Sequence, residues 1–230
     1  MGEADAYRPM MPVKRARRLR KWHVEVDAQM REGLPRRVFH LGLELYVPVD
    51  VFPPSGSGSF HRLVQDEVRS TDRVLDMGTG SGIDAILAAT KSADVVAVDL
   101  NPKAVQAAAA NAARNRVADR IAVYQSDVFD AVNGSFDVII FDPPFRWFAA
   151  GDLLELATAD QNYQALTRFM RQVRSFLRPG GRVMLHFGTS GDIDYLYHLI
   201  DRAGFKREVL TTEQVENDGL AVTYYVFRLT

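Results

Sequence analysis

The 230-residue chain contains no cysteine. That absence removes a disulfide framework, a Cys-ligated zinc or iron–sulfur site and a cysteine nucleophile together. Long apolar runs are missing too; none approaches the roughly 18 residues of a membrane span. The N-terminus is basic but carries no apolar segment, so no secretory signal is expected and the expected location is cytoplasmic. Histidine is scarce, and His23, His40, His61 and His198 are scattered without ligand spacing, so no metal is expected. Net charge is close to zero, with 28 Lys+Arg against 29 Asp+Glu. The remaining composition, 47% hydrophobic and 25% charged, is that of a globular protein. The length suits one large α/β domain, or a smaller one with an appendage.

The charge is unevenly spread. Arg8, Lys14, Arg15, Arg17, Arg18, Arg20 and Lys21 form a basic stretch without an acid, whereas Trp22 onward holds 21 basic and 27 acidic residues. Two readings stand open. The stretch is a solvated, poorly ordered arm, or it binds phosphates and gives salt-dependent, sequence-blind affinity for nucleic acid. Composition shifts once, near Gly58. The chain therefore divides into a basic arm over 1–38, a hairpin-like lead-in over 39–57 whose Pro48, Pro53 and Pro54 limit it to short edge strands, and a main domain over 58–230.

In the main domain β-type runs alternate with helical ones. Arg73–Met77, Asp94–Leu100, Ile121–Gln125, Phe136–Phe141 and Arg182–Phe187 read as strands. Helices are expected at Phe60–Arg69, Gly82–Thr90, Pro102–Asn115, Gln161–Leu177 and Ile193–Ala203, with Asn101 as N-cap and Pro102 at the first position of the third. Lys206–Thr211 and Leu220–Leu229 close the chain as two strands separated by a polar turn. The expected fold is a doubly wound, mostly parallel seven-stranded α/β sheet with an antiparallel C-terminal hairpin.

Ligands of such sheets sit beyond the carboxyl ends of the strands. The first strand runs into Asp76-Met-Gly78-Thr79-Gly80-Ser-Gly82, whose spacing differs from the G-x-G-x-x-G of dinucleotide sites. A carboxylate at Asp76 repels a pyrophosphate and attracts a cationic group. The second strand ends at Asp99, an acceptor for ribose hydroxyls. The third ends near Asp127, which can accept from an exocyclic amine while the following N–H donates to a ring nitrogen. The fourth closes in Asp142-Pro143-Pro144-Phe145. The Asp142 carboxylate and the Pro143 carbonyl form a pair of acceptors beside an aromatic face, suited to a planar –NH2 group. Trp147 and Phe148 can stack on a planar substrate or cover the site. His186 reads as a packed or solvated histidine, with substrate contact the alternative.

With these four motifs in order, the chain resembles the class I S-adenosylmethionine-dependent methyltransferases from about Phe39 onward. The type is the methyltransferase small domain shared by release-factor glutamine and RNA-base N-methyltransferases. The resemblance implies a Rossmann-like fold with S-adenosyl-L-methionine as cofactor. Asp76, Gly78, Thr79, Gly80 and Gly82 would hold its methionine part, Asp99 and Leu100 its ribose, and Asp127 and Val128 its adenine. Asp142, Pro143, Pro144 and Phe145 match the (D/N)PP(Y/F/W) signature of members that methylate nitrogen. RNA or protein is then the expected substrate, reached through the basic arm 8–21, with a small molecule or a non-catalytic subunit as alternatives. Glutamine methyltransferases of the group usually have Asn at the position of Asp142 and a longer helical N-terminal domain; Asp with Phe, followed by Arg146, looks closer to base-modifying members.

Overall fold

The basic segment is ordered. In the computed structural model, which describes residues 7–54, 58–217 and 220–230, it lies mainly in a 20-residue helix, α1 (Val13–Glu32), that buries Leu19, His23 and Asp27. These residues recur at four-residue spacing and form one helical face. Two of the three are polar, so the face carries no apolar stripe in the sequence. The picture of a poorly ordered arm is corrected accordingly. The first six residues of the arm, the last three of the lead-in and Asp218-Gly219 of the closing turn lie outside the described residues. The lead-in is a hairpin, β1 (Arg36–His40) with β2 (Leu43–Val47), turned through Leu41 and Gly42 at positive φ. It begins before the expected boundary at 39, which cuts through β1.

α2 (Gly58–Glu67) leads into the main sheet. Strands β3 (Arg73–Met77), β4 (Asp94–Asp99), β5 (Ile121–Gln125), β6 (Phe136–Phe141) and β7 (Leu177–Gly188) pair in parallel. β8 (Arg207–Asn217) and β9 (Leu220–Leu229) form the hairpin, with β9 antiparallel to both β7 and β8. Among the described residues the order is β5-β4-β3-β6-β7-β9-β8, seven strands as expected. Alternate residues of a strand face opposite sides. Leu75 and Ile139 point to a core shared with α1, α6 (Gln164–Gln172) and α7 (Ile193–Arg202). Val74 and Ile140 point to a second core built with α2, α3 (Ile83–Ala89) and α4 (Pro102–Arg114).

Local signals hold well at α4, where the Asn101 side chain accepts from the Lys103 amide at 2.9 Å. They fail at the expected helix 161–177. A 3-10 turn precedes α6, another follows it, and Leu177 already belongs to β7. Asn162 and Tyr163 stand at φ +55° and +49°, left-handed values that ordinary residues adopt at a cost. The cause is tertiary. The buried Tyr163 hydroxyl donates to the Phe145 carbonyl at 2.7 Å and accepts from the Asp192 amide at 2.8 Å.

Candidate active site

A cavity of about 590 Å³ opens beyond the carboxyl ends of β3 to β7. The loop after β3 forms its floor. Gly78, Gly80 and Gly82 all take positive φ, and the amides of Gly78 and Thr79 donate to the Val98 carbonyl at 2.8 and 2.9 Å. At Gly82 a Cβ would stand 2.9 Å from the Ala108 Cα, so glycine brings the loop against α4. Asp76 is buried beneath this loop and is not among the residues lining the cavity. Its Oδ2 accepts from the Thr79 hydroxyl at 2.6 Å and the Ala85 amide at 3.0 Å. Burial, reinforced by the Asp84 charge, pushes its carboxyl up to about 8.

Asp99, Leu100, Asp127 and Val128 line the same cavity. Asp99 accepts from the Gly80 and Asn101 amides, each at 2.8 Å, while burial raises its pKa. Asp127 pairs with Arg168, and Val128 holds φ +51° while Ser126 caps its carbonyl at 2.8 Å. The loop after β5 is thus tied to α6 through Arg168.

All four residues of Asp142-Pro143-Pro144-Phe145 reach the cavity. His186 Nδ1 lies 2.9 Å from Asp142 Oδ1, so this histidine belongs to the site and is not solvated. Its neighbour in sequence, Leu185, pairs with Phe141 in the β6–β7 register. That register sets Asp142 and His186 opposite each other, which residue spacing does not reveal.

The fourth wall comes from α1 and the segment after the motif. Trp22, His23 and Val26 line the cavity, as do Arg146, Leu153, Leu156 and Thr158. Arg146 is buried and pairs with Asp27 at 3.1 Å; its amide and carbonyl bond Thr158 O and Asp160 N at 3.0 and 2.7 Å. The segment 146–160, with the short α5 (Leu153–Leu156) inside it, is pinned to this arginine. Trp147 packs in the core and Phe148 beside His23, and neither reaches the cavity, so Phe145 is the motif's aromatic wall. Sequence reading weighed His23 only as a metal ligand and passed over Asp27 and Tyr163. Only a four-residue recurrence of buried polar groups marks the first two.

Residues 55–192 match the family described as methyltransferase small domain, and the chain belongs to it. A Methanocaldococcus jannaschii protein named as an N5-glutamine methyltransferase is 30% identical over 189 residues, covering 79% of this chain and 94% of its own length. The ribosomal protein L11 methyltransferase of Bacillus subtilis is 36% identical over 152 residues, 64% of this chain but 42% of that protein. In fold, the chain is similar to the M. jannaschii tRNA m1G37 methyltransferase, with a TM-score of 0.62 at 21% identity over 84% of this chain and 56% of that one. The protein is a methyltransferase that uses S-adenosyl-L-methionine. The site fits that cofactor: three glycines at left-handed φ shape the loop beneath it, and the Asp99 and Asp127 carboxylates line the cavity as acceptors for hydroxyl and amine hydrogens.

Proposed function

We propose that this enzyme methylates a planar amide or exocyclic amino nitrogen of RNA or protein. The observation that carries the reading is the setting of Asp142. Its Oδ1 is held by His186, no hydrogen bond engages Oδ2 among the described residues, and Phe145 stands beside it on the cavity wall. The lone pair of such a nitrogen is delocalised, so it is a poor nucleophile. Asp142 and the Pro143 carbonyl accept its two hydrogens, aim the lone pair and disperse positive charge as it develops, while Phe145 stacks on the plane. Pro144 keeps the turn rigid.

Gly78, Thr79, Gly80 and Gly82 cradle the methionine part of the cofactor, with Asp76 holding the loop from beneath. Asp99 and Leu100 receive the ribose, and Asp127 with Val128 the adenine. When bound, S-adenosylmethionine supplies a methyl group made electrophilic by its sulfonium; the protein supplies position. RNA is favoured by the outer face of α1, where Lys14, Arg17 and Lys21 are exposed opposite the buried face. A small-molecule substrate is the second reading, suggested by the wall that Trp22, His23 and Val26 place across the cavity.

The test is transfer from methyl-labelled cofactor to total RNA, total protein and a small-molecule extract. Label should enter RNA or protein. Asp142→Ala should reduce uptake about 100-fold or more while S-adenosylhomocysteine still binds. Wild-type uptake in that variant would refute the assignment.

A further inference from the structure

We propose that His186 is the positioning residue for Asp142: as the Nδ1–H tautomer it holds Oδ1 and so leaves Oδ2 to the substrate nitrogen. The inference rests on the function proposed above. His186 is 3% exposed and its ring is enclosed by aromatic groups from three parts of the fold. It stacks on Phe60 of α2 at 5.1 Å and 17°, meets the Phe145 ring edge-on at 5.5 Å, and lies 5.7 Å from the Tyr224 ring of β9. Such packing fixes both side-chain torsions.

A box of this kind would accept phenylalanine at no polar cost. Histidine there leaves Nε2 buried without a hydrogen-bond partner among the described residues, and an unpaired buried polar atom destabilises the fold. The compensating contact is Nδ1 to Asp142 at 2.9 Å. It also selects the tautomer. A proton on Nε2 would bury an unpaired donor and turn the Nδ1 lone pair toward a carboxylate oxygen; a proton on Nδ1 avoids both. Asp142 then presents one oxygen to the histidine and the other to the cavity, with rotation about its carboxylate restrained. The strand register ensures this, since Phe141 and Leu185 are paired immediately before the two residues.

Two variants separate positioning from packing. His186→Phe keeps ring and stacking but removes the donor. His186→Asn keeps an N–H close to the place of Nδ1. Transfer of labelled methyl to the RNA or protein fraction that the wild type modifies should fall about 10–100-fold in His186→Phe. Its KM for S-adenosylmethionine should stay within about twofold and its melting temperature should not fall, whereas His186→Asn should recover most of the turnover. In parallel, nitrogen-15 NMR of the wild-type protein should show His186 protonated at Nδ1 and bare at Nε2. Wild-type turnover in His186→Phe, equal losses in both variants, or a proton on Nε2 would each overturn the proposal. If the wild type labels no fraction, the proposed function fails by itself, and the NMR result still decides how His186 meets Asp142.

Discussion

Asp27 and Arg146 stand 119 residues apart and form a buried ion pair at 3.1 Å. The other oxygen of Asp27 accepts from Arg31 at 3.0 Å, and Arg31 reaches on to Asp152 and Glu155. The N-terminal helix is thereby tied to the segment that follows the Asp-Pro-Pro-Phe motif. Removing one partner of a buried pair leaves a charge uncompensated, at about 3–5 kcal/mol. Asp27→Leu should lower unfolding free energy by roughly that amount, and the double variant Asp27→Leu/Arg146→Met should lose less than Asp27→Leu. Denaturant titration of the two single variants and the double variant checks this; additive losses would show that the pair is uncoupled.

Gly82 and Gly180 both adopt left-handed φ, +89° and +78°, but only Gly82 is crowded. Alanine at 180 should cost about 1 kcal/mol for conformation alone. Alanine at 82 should cost clearly more, about 2–4 kcal/mol, because its Cβ would push on the backbone of α4. Gly82→Ala should also weaken S-adenosylhomocysteine binding in calorimetry, and Gly180→Ala should not.

His23 links pH to stability. Burial, helped by the Arg146 charge, lowers its pKa from 6.5 to about 4, against the opposing bond to Ser190 O and the charge of Asp27. The unfolded state therefore takes up the proton first as pH falls. The stabilisation is complete above pH 6.5 and is lost progressively toward pH 4, by about 3 kcal/mol at most. His23→Gln should flatten the stability profile across that window. An unchanged slope in thermal unfolding between pH 7 and pH 4 would refute the assignment.

Deleting residues 1–21 would strip Leu19 from the core, so it cannot report on charge alone. Reversal at the exposed Lys14, Arg17 and Lys21 can. If RNA is the substrate, Lys14→Glu/Arg17→Glu/Lys21→Glu should raise the Kd for total RNA at least about 10-fold at low salt and flatten its salt dependence. A small-molecule substrate should show no change in KM.

Much of this was legible in order along the chain. β3, β5 and β6 match the expected strands end to end, because continuous apolar runs between polar punctuation are local signals. The cap at Asn101 is equally local. The N-terminal helix was not legible as a docked element, because two of the three residues it buries are His23 and Asp27. The break at Asn162 and Tyr163 was hidden for a related reason: the contacts that hold Tyr163 come from Phe145 and Asp192, 18 and 29 residues away.

The sequence by itself determined which chemical groups close the strands: three glycines that permit left-handed turns, the acids Asp99, Asp127 and Asp142, and two prolines that stop β6. Those are properties of single residues and near neighbours. Only the tertiary structure decided what those groups meet. It placed Asp76 beneath the loop, set His186 against Asp142, and brought Asp27 to Arg146. Such pairings depend on sheet register and on helix packing, which bring distant residues together once both apolar faces of the sheet are buried.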